Sequence, residues 1–85
     1  MQTVSDKKKY YAVAEVDSVE IPENYSSSKY HEHISNAVDE ALKKTIDYLK
    51  SEGYEGKFNA SVNVFVREEE SVRLIQTVKT KIVVK

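Results

Sequence analysis

Residues 29 to 52 read KYHEHISNAVDEALKKTIDYLKSE, and their apolar spacing predicts one long amphipathic helix. Apolar residues recur three and four positions apart, which gathers them on one side of a helix. Gly53 follows directly, and a glycine can take the left-handed conformation that closes a helix. We expect Ser26, Ser27 or Ser28 to cap the first turn by accepting a hydrogen bond from a free backbone N–H. The predicted buried stripe consists of Ile34, Val38, Ala41, Leu42, Thr45, Ile46 and Leu49.

Two segments after the helix alternate between apolar and polar residues, which is typical of strands with one buried face. They cover residues 58–67 and 72–84, and the acidic stretch 68–71 joins them as a hairpin. Setting Val66 opposite Val72 brings the apolar sides of the two strands together. On the other side of the sheet, some apolar residues are expected to remain available to another subunit. These are Phe65, Ile75 and Val83.

A third strand is predicted before the helix, over Lys9 to Ile21, where β-branched and aromatic residues are frequent. Its apolar residues change parity along the segment, so we expect a bulge or bend near Asp17 and Ser18. The order strand, helix, strand, strand predicts a single α+β domain over residues 9–85, after a polar arm of residues 1–8. The simplest connection puts the last strand in the middle of an antiparallel sheet, in the order 1-3-2, with the helix covering one face.

The composition limits the classes of function. The chain has 85 residues, no cysteine, and a net charge of -1 from 13 basic and 14 acidic residues. A chain of this size buries a small share of its surface, and neither disulfides nor a zinc cluster can add stability, so we expect self-association. The balanced charge provides no general attraction to nucleic acid or to an anionic membrane. Since no apolar run approaches a signal peptide or a membrane span, we expect a cytoplasmic location and no membrane partner.

No set of residues points to catalysis or to a metal. His31 and His33 are two positions apart, and on a helix such residues do not face each other, so one ion cannot readily use both. The acidic residues 68–70 lack the spaced ligands of a calcium loop. No serine has an evident base, no thiolate exists, and Gly53 and Gly56 cannot form a phosphate loop. We therefore expect a non-enzymatic protein without catalytic or metal-binding residues.

The outward side of the predicted hairpin combines cations with an aromatic ring. Arg67, Arg73, Lys79 and Lys81 flank Phe65, and a face of this kind can stack bases and hold phosphates. One aromatic residue is few for this purpose, and exposed lysines on strands also protect sheet edges from aggregation. Weak binding of single-stranded nucleic acid is therefore a third hypothesis, and nucleic acid is not the partner that we favour.

The last strand resembles part of the dodecins, small cytoplasmic proteins that assemble into hollow dodecamers and bind flavins between subunits. Residues 75–82, IQTVKTKI, are similar to the dodecin strand in which a Gln-Thr pair precedes alternating residues. The order of strands and helix over residues 9–85 is similar as well. The resemblance implies that Gln76 contacts a flavin ring and that Phe58, where dodecins have a tryptophan, stacks on it. It also implies a homo-oligomer, with a dodecamer as one form, and flavin as the cofactor.

Two hypotheses for function lead. The first is a non-enzymatic, dodecin-like homo-oligomer that sequesters a small planar ligand between subunits. Gln76 has an independent reason for such a role, because it interrupts an apolar strand face and its amide needs a hydrogen-bond partner. The alternative is a protein-interaction module, such as a small inhibitor or adaptor, that docks a partner through the loop 17–28 and the exposed sheet face. The residues expected in contact with that partner are Tyr25, Tyr30, Phe65 and Ile75.

Overall fold

The computed structural model describes residues 8–85, which form one helix packed on a three-stranded antiparallel sheet. This arrangement confirms the predicted α+β class. The predicted polar arm covers residues 1–8, and residues 1–7 of it lie outside the described residues. The elements are β1 (Lys9–Val16), a short 3-10 helix (Glu23–Tyr25), α1 (Ile34–Ser51), β2 (Gly56–Glu68) and β3 (Ser71–Val84).

The strand order is β1-β2-β3, so the predicted order 1-3-2 is wrong. The prediction assumed that the helix itself carries the chain back to the start of the first strand. Residues 17–33, here called the return segment, do so instead, and isolated bridges join Val13 to Ser27 and Tyr10 to His31. The helix therefore begins beside the start of β1 and runs in the same direction. As a result β2 enters the sheet directly beside β1 and antiparallel to it.

The first strand is shorter than predicted, because β1 ends at Val16 rather than at Ile21. The expected bend near Asp17 and Ser18 is confirmed. Ser18 has a φ of 73°, and the N–H of Val19 donates to the carbonyl of Val16 over 3.3 Å. This tight turn starts the return segment, and it lets the chain reverse along the edge of β1.

The helix begins at Ile34 instead of near Lys29, and the predicted serine cap is wrong. His33 occupies the cap position without a side-chain hydrogen bond. Ser28 lies alongside β1 instead, where its hydroxyl accepts a hydrogen bond from the Ala12 N–H at 2.9 Å. Ser26 and Ser28 thus hydrogen-bond the return segment to β1.

The end of the helix confirms the prediction at Gly53, which has a φ of 86°. The N–H of Gly53 donates to the carbonyl of Lys50, and the N–H of Tyr54 donates to the carbonyl of Leu49. This pair of bonds is the Schellman arrangement, which satisfies the last free carbonyls of a helix.

The helix packs on the sheet through small side chains. Ala12 and Ala14 of β1 meet Ala37 and Ala41 of α1, and all four are buried. Alanines on both sides let the helix approach β1 closely. Near the helix end, Leu49 packs on Val16, Ala60, Ile82 and Val84. Of the predicted stripe, Ala41, Thr45 and Leu49 are fully buried, while Ile34, Val38, Leu42 and Ile46 are half-buried; Ala37 was not predicted.

The predicted hairpin register, which set Val64 and Val62 opposite Leu74 and Gln76, is wrong along the strands, since Val64 and Val62 lie opposite Gln76 and Val78. Val66 lies opposite Arg73 rather than Val72, because Glu69 and Glu70 alone form the turn and Glu69 takes a φ of 53°. A bulge between the pairs Val64–Gln76 and Phe65–Leu74 then leaves Ile75 without a partner on β2. Consequently Gln76 lies opposite Val64, and the two apolar residues nearest the turn, Val72 and Leu74, move to the side of the sheet away from the helix.

Candidate binding face on the sheet

The side of the sheet that faces away from the helix is here called the outer face. Because side chains alternate along a strand, the residues between the buried ones point to this side. None of the strand side chains on it is fully buried. The outer-face residues are Lys9, Tyr11, Val13 and Glu15 of β1, the odd-numbered residues from Lys57 to Arg67 of β2, and Val72, Leu74, Thr77, Lys79, Lys81 and Val83 of β3.

An aromatic cluster occupies the outer face beside the hairpin turn. The rings of Tyr11 and Phe65 are stacked, with centroids 4.9 Å apart and planes 12° from parallel. Tyr30 from the return segment meets the Tyr11 ring edge-on at 5.3 Å. The guanidinium of Arg67 lies 5.5 Å from the centroid of the Tyr30 ring. The pairing of Tyr10 with His31 explains this cluster, because it sets the neighbouring Tyr30 on the same side as Tyr11.

The cluster is a largely uncharged platform of aromatic rings with one cation at its margin. Burial raises the pKa of the Tyr11 hydroxyl, and the nearby Tyr30 and Glu23 raise it further. Tyr11 therefore stays protonated at neutral pH. Tyr30 is 48% exposed, so this ring and the Arg67 guanidinium present the accessible part of the cluster. Aromatic rings and guanidinium planes are the groups on which nucleotide bases stack in proteins.

Charge is segregated on the outer face, although the chain as a whole is nearly neutral. The strand residues on this side include five cations, which are Lys9, Lys57, Arg67, Lys79 and Lys81, and the carboxylate Glu15. The other acids lie mainly in the loops, on the helix and at the hairpin turn. Lysines and arginines on one face create a local positive potential even when the net charge is near zero.

A groove of about 350 Å³ lies at the opposite end of the outer face from the aromatic cluster. It forms where β1 turns away at Asp17, so that β2 loses its neighbour on that side. The side chains of Lys79 and Lys81 stand beside Asn59 and Ser61, which lie opposite them on β2. Asp17, Ala60 and Thr80 complete the lining. Ammonium, amide and hydroxyl donors in one groove suit an oxyanion such as a phosphate.

Polar side chains occupy the outer face between the groove and the aromatic cluster. Thr77 donates to Asn63 over 2.8 Å, and the amide nitrogen of Asn63 donates to Glu15 over 3.3 Å. On β2, Phe65 and Ser61 are four residues apart, which corresponds to about 13 Å along a strand. The two ends of the face are thus close enough for one extended ligand to touch both.

The two residues predicted to bind a flavin do not meet within one chain. Phe58 lies opposite Ile82, contacts Tyr54 with ring centroids 6.0 Å apart, and packs against the core near the end of the helix. Gln76 is exposed and lies opposite Val64. Six residues of β2 separate Phe58 from Val64, which is about 20 Å. A ligand that touches both residues needs two subunits.

The residues predicted to contact a protein partner are divided between different surfaces. Tyr30 and Phe65 belong to the aromatic cluster, and Ile75 lies nearby at the bulge of β3. Tyr25 is elsewhere, against Tyr48 of the helix at 5.2 Å. The predicted docking loop 17–28 is therefore not continuous with the exposed hairpin.

Sequence reasoning missed Tyr11 and the groove, and it named Tyr30 as a partner contact without placing it beside Tyr11 and Phe65. It counted one aromatic ring on this face because the direction of Tyr11 was ambiguous and Tyr30 was placed on the helix. A signal for Tyr11 existed, since Ala12, Ala14 and Val16 are small or apolar residues of one parity, as a strand facing a helix requires. Nothing in the sequence indicated that Tyr30 continues along the edge of β1.

Of the two histidines, His31 makes a structural contact, while His33 caps the helix without a side-chain hydrogen bond. Nε2 of His31 lies 2.6 Å from Oε1 of Glu40, and the same oxygen accepts a hydrogen bond from the Lys29 N–H at 3.0 Å. Within residues 8–85, no group of three or more His, Cys, Asp or Glu side chains is arranged to hold a metal ion. In the same part of the chain, no helix has the length and apolar character needed to cross a membrane.

Comparison with protein-family models, with curated proteins and with solved structures finds no match to this chain.

Proposed function

We propose that this chain is a small non-enzymatic binding protein whose outer face takes a ligand that joins a planar ring to a phosphate group. A flavin nucleotide and the nucleotides of a single strand share this chemistry. The observation that carries the proposal is the concentration of five cations against two carboxylates, Glu15 on β1 and Asp17 in the groove, on a face that also holds three aromatic rings.

The two ends of the face have complementary roles in this proposal. Lys79 and Lys81 bind the phosphate in the groove, with the Asn59 amide nitrogen and the Ser61 hydroxyl donating hydrogen bonds to it. The planar ring lies toward the aromatic cluster, where Tyr30 is the most accessible ring. Charge-assisted hydrogen bonds to phosphate are stronger than neutral ones, so the groove supplies the larger part of the affinity.

The dodecin-like hypothesis makes a different prediction about the ligand. It places a flavin between Phe58 and Gln76 of neighbouring subunits, on the side of the sheet that carries the helix. The outer-face proposal keeps the planar ligand and moves it to the opposite side. The two are separated by variants, because Lys79 and Lys81 matter in one and Phe58 and Gln76 in the other.

The proposal is tested by titrating the protein with flavin mononucleotide, with riboflavin, and with a labelled oligothymidylate, each followed by fluorescence. If the natural ligand is a flavin nucleotide, flavin mononucleotide should bind more tightly than riboflavin, which lacks the phosphate. Salt-dependent binding of the oligonucleotide identifies a single strand as the source.

Charge reversal locates the site. The double variant Lys79→Glu with Lys81→Glu should lower the affinity for either ligand by about tenfold or more, because two phosphate contacts become repulsive. Lys43→Glu with Lys50→Glu is the matched control, since it changes the charge equally at exposed helix positions. Equal loss in both variants, or no binding of any of the three ligands, contradicts the proposal.

A further inference from the structure

The second edge of β3 is open. Within residues 8–85, β3 pairs with β2 on one side and with no strand on the other, whereas the edge of β1 is covered by the return segment. Every residue from Ser71 to Thr77 is exposed, including Val72 at 46%, Leu74 at 53% and Ile75 at 38%. A long apolar edge with free backbone groups favours pairing with another strand.

The charges along this edge are separated by sign. The sequence of β3 contains Arg73, Lys79 and Lys81 and no acidic residue, while the turn that precedes it contains Glu69 and Glu70. Within the described part of the chain, neither these two glutamates nor the two lysines form an ion pair. Twelve residues separate Glu69 from Lys81, or about 40 Å along an extended strand, so the two cannot meet in one chain.

We propose that the free edge of β3 pairs antiparallel with β3 of a second copy, about a two-fold axis near Ile75. An antiparallel arrangement reverses the order of residues across the axis. Lys79 and Lys81 of one copy then lie alongside Glu69 and Glu70 of the other, and the two exposed apolar segments meet in the middle. The interface is isologous, so every contact occurs twice.

Charge also selects this register over its neighbours. Moving the axis two residues along, to Thr77, sets Lys79 and Lys81 of one copy beside residues 72–75 of the other, away from Glu69 and Glu70. The pairs of opposite charge, which stabilise neighbouring strands, are then lost. Only an axis near Ile75 or slightly before it brings Lys79 and Lys81 close to Glu69 and Glu70 of the other copy. A second copy of this chain is therefore a partner with complementary charges.

Pairing of this kind produces a six-stranded sheet. The axis stands perpendicular to the sheet, so the outer faces of both copies lie on the same side and form one continuous basic surface. The inference depends on the edge and its charges. It shares Lys79 and Lys81 with the proposed function, so variants of Glu69 and Glu70 are the ones that separate the two.

A cysteine placed at the axis gives the most direct test, because the protein has no cysteine of its own. Ile75→Cys should form a disulfide-linked dimer rapidly under mild oxidation. Val83→Cys is the control, since Val83 is 49% exposed but lies about 50 Å from its symmetry mate when strands pair around residue 75. Equal cross-linking at the two positions, or none at Ile75→Cys, overturns the proposed axis.

Sedimentation equilibrium from micromolar to millimolar protein tests the charges. The wild-type chain should reach twice its 9.7 kDa mass, and Glu69→Lys with Glu70→Lys should weaken the dimer by about tenfold or more. Adding Lys79→Glu and Lys81→Glu to that variant should restore the dimer. Asp39→Lys with Asp47→Lys, an equal charge change on exposed helix positions, should leave it unchanged.

A wild-type chain that stays monomeric at all concentrations overturns the inference. So does a dimer that is weakened by the two glutamate substitutions and is not restored when the two lysine substitutions are added. The glutamate variant also separates this inference from the proposed function, because Glu69 and Glu70 lie outside the groove. Loss of the dimer in that variant with unchanged nucleotide binding supports the interface. Failure of nucleotide binding in the wild-type dimer affects the ligand proposal alone.

Discussion

Replacing Glu40 by Gln tests the part of the fold that determines the strand order. Oε1 of Glu40 lies 2.6 Å from His31 Nε2 and accepts the Lys29 N–H at 3.0 Å. These contacts join the return segment to the helix, at the point where the chain leaves the edge of β1. The hydrogen bond with His31 is the main cause that lowers the pKa of Glu40, and the Lys29 N–H adds to it.

The magnitude follows from the two hydrogen bonds. A hydrogen bond to a charged group contributes about 1.5–3 kcal/mol when buried, and less where water competes. The side chain of Glu40 is 27% exposed, so we expect Glu40→Gln to lower the free energy of unfolding by about 1–2 kcal/mol at neutral pH. In a domain of this size, that loss reduces the Tm by roughly 4–8 °C per kcal/mol.

The pH dependence has a definite sign. A carboxyl whose pKa is lower in the folded protein stabilises it above the unfolded pKa, and this contribution disappears as the pH falls through the folded pKa. The wild type should therefore lose stability more steeply than Glu40→Gln below about pH 4.5, the ordinary value for a glutamate, and the two curves should converge in acid.

Urea unfolding at a series of pH values measures this difference. Asp39→Asn provides the control, because Asp39 is the exposed neighbour of Glu40 on the helix. If Glu40→Gln is as stable as Asp39→Asn at neutral pH, or if its deficit persists unchanged in acid, the two hydrogen bonds do not hold the return segment as described.

Further predictions concern the interior. Thr45 is fully buried and its hydroxyl has no hydrogen-bond partner, so Thr45→Val should raise the free energy of unfolding by about 1 kcal/mol in urea; a loss of stability indicates that the hydroxyl is satisfied. Ala41→Leu should lower it by about 1–3 kcal/mol, because the helix lies close to the alanines of β1 and has no space for a larger side chain; an unchanged midpoint contradicts that close packing. Gly53→Ala should cost about 1 kcal/mol, since Gly53 has a φ of 86°; thermal unfolding by circular dichroism is the check, and a variant with wild-type Tm excludes strain at this position.

The features predicted correctly from the sequence depend on local signals. Gly53 and the spacing from Val38 to Leu49 define most of the helix, because a left-handed glycine and an apolar stripe act within a few residues. Alternation over residues 58–67 identifies β2 for the same reason. These patterns need no knowledge of what lies beside them.

The strand order could not be predicted because it depends on backbone bonds at the edge of β1. The bonds at the two bridges to Val13 and Tyr10 join backbone N–H and carbonyl groups of Ser26, Ser28 and His31 to β1, and nearly every residue possesses such groups. This pairing reverses the chain before the helix starts and so changes the neighbour of β1.

The hairpin register could not be predicted because it depends on a left-handed conformation of Glu69, a residue type that rarely adopts it. Glu69 takes a positive φ in a two-residue turn, where glycine or asparagine is the usual signal. The bulge at Ile75 then restores the alternation for the rest of β3. The aromatic cluster has a separate cause, because the pairing of β1 with β2 and with the return segment joins Phe65 to Tyr11, whose direction was ambiguous, and to Tyr30, which was placed on the helix.

The claim that the outer face binds a ring with a phosphate is tested most directly by backbone amide NMR during titration with flavin mononucleotide. The predicted result is a set of shifted signals from Asn59, Ser61, Lys79 and Lys81, extending to the aromatic cluster, while exposed helix residues stay unchanged. Shifts confined to Phe58, Gln76 and the helix side of the sheet, or no shifts at saturating ligand, contradict the claim.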